Sequence, residues 1–157
     1  MKFVVYREKI YKMNEMNECY FYNLINRNHF SKDTMVKAGC IQLLDFFITT
    51  KLDCESSFYF EDLRSHVDNS VDSEDFIYSV FYLCRKDINI LQQEFSVWNN
   101  SNGIYDHYIE KNIILDMLRD KKFYNPISGD DLNESQFEEE ILTFFVPTKF
   151  FLEMKSV

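Results

Sequence analysis

Residues 58–109 read FYFEDLRSHVDNSVDSEDFIYSVFYLCRKDINILQQEFSVWNNSNGIYDHYI, and the fold is decided in this stretch. It opens on Phe58-Tyr59-Phe60, a short aromatic run of strand-like composition. A helix is expected over Glu61 to Val67, with Leu63 and Val67 one turn apart. Asp68-Asn69-Ser70-Val71-Asp72 follows as a polar turn, and Asp72 or Ser73 can accept hydrogen bonds from the first amides of the next helix. That helix is expected from about Ser73 to Lys86. Phe76, Val80, Leu83 and Cys84 lie on one face and Ile77 and Phe81 extend it, which leaves Ser73, Glu74, Asp75, Ser79 and Tyr82 for solvent. Between Ile88 and Trp98 apolar residues predominate, and Phe95, Val97 and Asn99 alternate against Glu94, Ser96 and Trp98. Ile104 to Ile109 answers this run across Asn99-Asn100-Ser101-Asn102-Gly103, and the spacing predicts a β-hairpin.

Upstream, Val36, Cys40, Leu43, Leu44 and Phe47 recur at helical spacing behind a cap at Ser31 or Asp33. Asn14 to Asn28 carries a weaker helical pattern through Met16, Tyr20, Tyr22, Leu24 and Ile25, and residues 1–13 fit either a strand or a short helix. Downstream, Asn112 to Arg119 reads as a short helix, and Lys121 to Asn133, with Pro126 and Gly129, as a loop. Ser135-Gln136-Phe137-Glu138 fits a capping box for a helix through Ile141, Leu142, Phe144 and Phe145 that Pro147 stops. Phe150, Phe151, Leu152 and Met154 then form an apolar tail.

Helix, tight turn, helix and hairpin in this order resemble the winged helix-turn-helix family. The resemblance rests on element order and spacing and covers about residues 33–110. It implies an α+β, mostly helical fold of one domain over residues 1–157, a winged-helix core with N- and C-terminal helical extensions, the latter spanning 111–157. Winged-helix regulators set a basic helix in the major groove of DNA. Winged-helix accessory subunits hold other proteins instead; examples partner kleisins in condensin-like complexes or form the small middle components of bacterial defence ATPase systems.

Charge discriminates between these two uses. The net charge is -9, and residues 58–110 carry only Arg64, Arg85 and Lys86 against ten Asp and Glu. Because DNA affinity comes chiefly from Lys and Arg neutralising phosphates, such a module is repelled by a duplex at long range. The function expected is a non-catalytic adaptor or accessory subunit of a larger, ATPase-centred defence or chromosome-organising complex. Its partner is another protein, in a hetero-complex or a homodimer, and direct DNA binding is disfavoured. Trp98, Tyr105 and Tyr108 on the hairpin and Phe144, Phe145, Phe150 and Phe151 near the C-terminus are the partner-binding candidates, since aromatic residues dominate binding hot spots. Each can also serve a core, which is the first reading for Trp98. One alternative is a winged-helix DNA-binding regulator using Arg64, Arg85 and Lys86, helped by Arg7, Lys9, Lys12 and Arg27. Another is an acidic immunity or inhibitor protein that meets a basic toxin through Asp130-Asp131 and Glu138-Glu139-Glu140.

Catalytic chemistry has little to stand on. His29, His66 and His107 have no nucleophile or orienting acid at a telling spacing, and there is no Gly-rich phosphate loop. Glu153-Met154-Lys155 matches the Glu-x-Lys triplet that some metal-dependent nucleases carry on a strand, with Asp130 or Asp131 as the further acid. Such triplets arise readily by chance among 26 acids and 17 bases. Cys19, Cys40, Cys54 and Cys84 are scattered without metal-ligand spacing and read as reduced thiols, so no metal or cofactor is expected. No leader and no apolar run of about 18 residues interrupts the chain, which predicts a cytoplasmic protein without a membrane segment.

Overall fold

In a computed structural model the chain is described over residues 20–27 and 34–156. The class is α+β, with seven helices and one three-stranded antiparallel sheet among these residues. A first helix, α1, covers residues 20–27. It is followed by α2 (Thr34–Thr49), α3 (Phe60–Arg64), α4 (Ser73–Leu83), β1 (Leu91–Asn99), β2 (Ile104–Tyr108), α5 (Lys111–Asp120), α6 (Glu134–Glu140), β3 (Ile141–Pro147) and α7 (Lys149–Ser156). The described residues up to Gln92, with those from Val146 onward, form one compact unit, and Gln93–Phe145 form a second.

The first unit is built on α2, whose Val36, Cys40, Leu43, Leu44 and Phe47 are all buried as their spacing requires. The polar turn expected after α3 is held by its own side chains. Asp68 Oδ1 accepts from the Ser70 amide at 3.2 Å, and Asp72, the N-cap of α4, accepts from the Asp75 amide at 2.8 Å. Glu74 and Asp75 in the first turn then face the positive end of the helix dipole. On the inner face of α4, Phe76, Val80 and Leu83 are buried. Beyond the sheet, Thr148 joins two elements through one hydroxyl, which donates to the Asn89 carbonyl (2.7 Å) and accepts from the Phe151 amide (3.0 Å), capping α7. Phe151 is thereby buried against Phe21 and Phe47, with ring centroids at 5.0 and 6.4 Å.

In the second unit β1 and β2 pair antiparallel in the register Phe95↔Tyr108, Val97↔Asp106 and Trp98↔Tyr105. The turn between them falls where the Asn/Ser/Gly run placed it. Gly103 has φ +64° and donates to the Asn99 carbonyl at 2.8 Å, while Asn99 Oδ1 takes the Ser101 amide at 3.0 Å. Phe95, Val97, Ile114, Met117, Phe137 and Ile141 form the core of this unit.

Several expectations are corrected. The helix drawn through Ile141, Leu142, Phe144 and Phe145 is the strand β3, which makes β1 the central strand of the order β2-β1-β3. The C-terminal extension is therefore not purely helical. Ile, Thr, Phe and Val favour extended backbone, and sheet pairing wins over the coincidental helical spacing. The helix that precedes it, α6, is capped two residues earlier than expected, by Asn133 and Gln136 in a reciprocal capping box. In α1, Ile25 of the expected pattern is buried, together with Phe21, which the pattern left out, while Tyr20 is exposed. Of the aromatic run, only Phe58 makes a strand-like bridge, and Phe60 already begins α3. The caps Ser31 and Asp33, Cys19, His29, and everything expected of residues 1–19 lie outside the described residues. No helix among the described residues is long and apolar enough to cross a membrane.

Candidate functional site

On the outer face of α4, in the first unit, three large apolar or aromatic side chains are exposed. Ile77 is 42%, Tyr78 56% and Phe81 39% exposed. With Glu74 they fall at i, i+3, i+4 and i+7, one stripe of a helix opposite the buried Phe76, Val80 and Leu83. Phe60 of α3 borders the stripe with its ring 6.0 Å from that of Phe81. Sequence reading assigned Ile77 and Phe81 to the inner face and offered Ser79 to solvent, and both assignments are corrected. Ser79 is fully buried, donating to the carbonyls of Val36 (2.9 Å) and Asp75 (2.7 Å). Apolar residues on both sides of one helix are the signal that was open to view, because a single core can take only one of the two stripes.

Two of the three cations the module carries, Arg64 and Arg85, are engaged by other groups. Arg64 sends Nη2 to the Val71 carbonyl at 2.8 Å and lies over the Phe76 ring at 5.2 Å, so its charge serves the turn between α3 and α4. Its Nη1 is buried and has no hydrogen-bond partner among the described residues. Arg85 forks onto Asp87 with distances of 3.0 and 2.9 Å and stands over Tyr82. Lys86 is exposed.

In the second unit, Trp98 is half-buried, edge-on to Tyr105 at 5.0 Å, and its indole N–H donates to Asn100 Oδ1 at 2.7 Å. The Tyr105 hydroxyl donates to the Glu139 carbonyl. Tyr108 packs on the core, and burial first, then the charge of Glu110, pushes its phenol above the usual range. Phe144 and Phe145 are buried, Phe144 with its ring 5.4 Å from that of His107, and in the first unit Phe151 is buried too. These three fill cores and are not offered to a partner. Of the seven aromatic candidates, Tyr105 and Phe150 remain substantially exposed, and Phe150 lies edge-on to Tyr20 and Phe21.

Side chains with catalytic potential are placed in structural contacts. His66 stacks on Phe46 at 3.6 Å, and His107 meets Glu94 at 3.2 Å. Glu153 and Lys155 lie on the helix α7 rather than on a strand; Glu153 pairs with Lys149, and the Lys155 ammonium donates to the carbonyls of Phe47 and Thr50 at the end of α2. No group of three His, Cys, Asp or Glu that could hold a metal ion occurs among the described residues.

An open depression of about 230 Å³ is lined by Ile113, Asp116, Met117, Asp120, Lys122 and Tyr124. That is below the roughly 300 Å³ at which pockets for drug-sized ligands begin. Its carboxylates are engaged by Arg119, whose hydrogen bond and charge hold Asp120 below the usual carboxylate range. The chain matches no protein-family model, no curated protein and no solved structure.

Proposed function

We propose that the chain is a non-catalytic adaptor, an accessory subunit that holds another protein within a larger assembly, and that α2, α3, α4 and the β1–β2 hairpin serve it as a winged helix. One observation carries the reading: the helix that would have to enter a DNA groove turns Ile77, Tyr78 and Phe81 outward and has no Lys or Arg along its length. Apolar and aromatic residues clustered on one exposed helix face are typical of protein-binding surfaces, whereas groove readers need basic and amide side chains there. Arg64 and Arg85, on which a DNA-binding regulator would rely, are committed to Val71 and Asp87.

The test is affinity capture from the native host with the full chain and with an Ile77→Ser/Phe81→Ser variant, alongside titration with duplex DNA across a range of salt. The expected result is a specifically retained protein that the variant releases, with no salt-dependent duplex binding. Duplex binding that weakens with salt and is lost on Arg85→Ala and Lys86→Ala would replace this reading with the regulator.

A further inference from the structure

We infer that Asn102 is a site of spontaneous deamidation that the folded hairpin holds closed, so that its conversion records opening of the turn between β1 and β2. Asn102-Gly103 is the one Asn-Gly pair in the sequence, since Gly39 follows Ala38 and Gly129 follows Ser128. A glycine after asparagine favours this reaction, because no Cβ hinders the approach of its main-chain nitrogen to the side-chain amide. Asn100 to Gly103 are all exposed, and a Cβ added at Gly103 would meet nothing within 4 Å, so no packing shields the pair. The Asn-Ser sequences at 69–70 and 100–101 are the competing sites, and each carries a side chain on the attacking residue.

The chemistry needs only base and water. Base takes the Gly103 amide proton and the nitrogen bonds to Cγ of Asn102. The Cγ–Nδ2 bond breaks, and the side-chain nitrogen departs as ammonia with the proton that the base returns. Water then opens the cyclic imide at one of its two carbonyl carbons, leaving an aspartate or an isoaspartate at position 102.

The first step requires a free Gly103 nitrogen, and the fold engages it. Its N–H donates to the Asn99 carbonyl at 2.8 Å, and the Asn102 amide reaches the same carbonyl at 3.3 Å. Asn99 braces the turn further, accepting from the Ser101 amide through Oδ1 at 3.0 Å and donating through Nδ2 to Asp106 Oδ2 at 2.7 Å. An amide held in this way exchanges or reacts when its hydrogen bond opens. Conversion is then one-way. Isoaspartate inserts a methylene into the main chain of the turn whose length sets the hairpin register, and aspartate puts a negative charge on a tip that carries none.

The test incubates the full chain in mildly alkaline buffer, with and without guanidinium chloride, and follows the Asn, Asp and isoAsp forms of each peptide by chromatography and mass spectrometry. In denaturant, Asn102 is expected to convert ahead of every other asparagine. In buffer its conversion should be slower by roughly tenfold or more, a factor no smaller than the protection of the Gly103 amide in hydrogen exchange. Asn99→Ala removes both side-chain braces and should speed conversion in buffer while leaving the rate in denaturant unchanged. Circular dichroism checks that this variant folds; if it does not, the wild-type comparison with hydrogen exchange decides alone.

Conversion of Asn69 or Asn100 ahead of Asn102 in denaturant overturns the assignment of the site. Equal rates at Asn102 in buffer and in denaturant overturn the gating, as does a Gly103 amide that exchanges as fast as in the unfolded chain. A folded Asn99→Ala protein that converts no faster than wild type overturns the turn as the gate.

Discussion

Gly39 on α2 and Ser79 on α4 meet with no room for a methyl group between them: a Cβ on Gly39 would lie 2.2 Å from Ser79 Oγ and 2.9 Å from Ser79 Cβ. The hydroxyl could rotate away, but the Cβ is fixed by the backbone of α4. Gly39→Ala is therefore expected to destabilise the protein by about 1–3 kcal/mol from overpacking, less the roughly 1 kcal/mol that Ala gains over Gly in a helix. Urea unfolding measures the net effect. Adding Ser79→Gly should recover part of the loss, and strict additivity of the two changes would contradict the close approach.

Asn125 is fully buried and ties the 121–133 loop to the sheet of the second unit. Its amide donates to the Trp98 carbonyl (2.9 Å) and to Glu140 (2.8 Å), while its Oδ1 accepts the Ile127 and Ser128 amides. Two backbone donors on one side and two acceptors on the other fix which way the amide points. Asn125→Ala leaves these groups without partners and is expected to cost about 2–4 kcal/mol, as a buried network with several unsatisfied groups does. Trp98 fluorescence during urea unfolding reports it. Asn125→Asp should be worse, because a second carboxylate would face Glu140.

The Arg85–Asp87 pair is half-exposed on both sides, so Asp87→Asn should change stability by no more than about 0.5 kcal/mol. Its consequence is electrostatic. With Asp87 neutralised, any duplex affinity of the α4 C-terminal end should rise at low salt, and a subsequent Arg85→Ala should remove the gain. Wild-type protein that already binds duplex DNA as tightly as Asp87→Asn would show that this pair does not mask Arg85.

Burial pushes the Cys40 thiol up to about 12 from an ordinary value near 9, more than its hydrogen bond with Ser79 lowers it. In the unfolded chain the thiol ionises near pH 9, while the folded chain keeps its proton. The folded state therefore binds more protons between about pH 9 and 12, and stability should fall with rising pH across that window. Cys40→Ala should flatten the high-pH limb of the unfolding curve. A disulfide-exchange reagent at neutral pH should label the exposed Cys54 quickly and Cys40 only on unfolding.

Local signals carried much of the fold into the sequence. The periodicity of α2, the Asp72 cap and the Asn99–Gly103 turn all depend on residues within a few positions of one another, and each is found where it was expected. The strand β3 was illegible for the opposite reason. Phe137, Ile141, Phe144 and Phe145 fall at helical spacing, and only the pairing of β3 with β1, more than forty residues upstream, turns that segment into a strand. The α4 surface was half-legible. All its apolar residues were visible, but assigning every one of them to the interior hid Ile77 and Phe81, and Tyr78 was not singled out. Arg64 looked like a solvent-facing cation because nothing local indicates that the Val71 carbonyl takes its guanidinium.

The first unit is discontinuous in sequence, with Gln93–Phe145 set into it and Phe151 and Lys155 returning to Phe47 and the end of α2. During synthesis, α2 thus leaves the ribosome about a hundred residues before the helix that covers it, and Phe21 and Phe47 wait in the nascent chain without their closing partner. A product that stops short of α7 lacks the Phe151 ring that packs on Phe21 and Phe47, and the aromatic surface this leaves uncovered is of the kind that chaperones and proteases recognise.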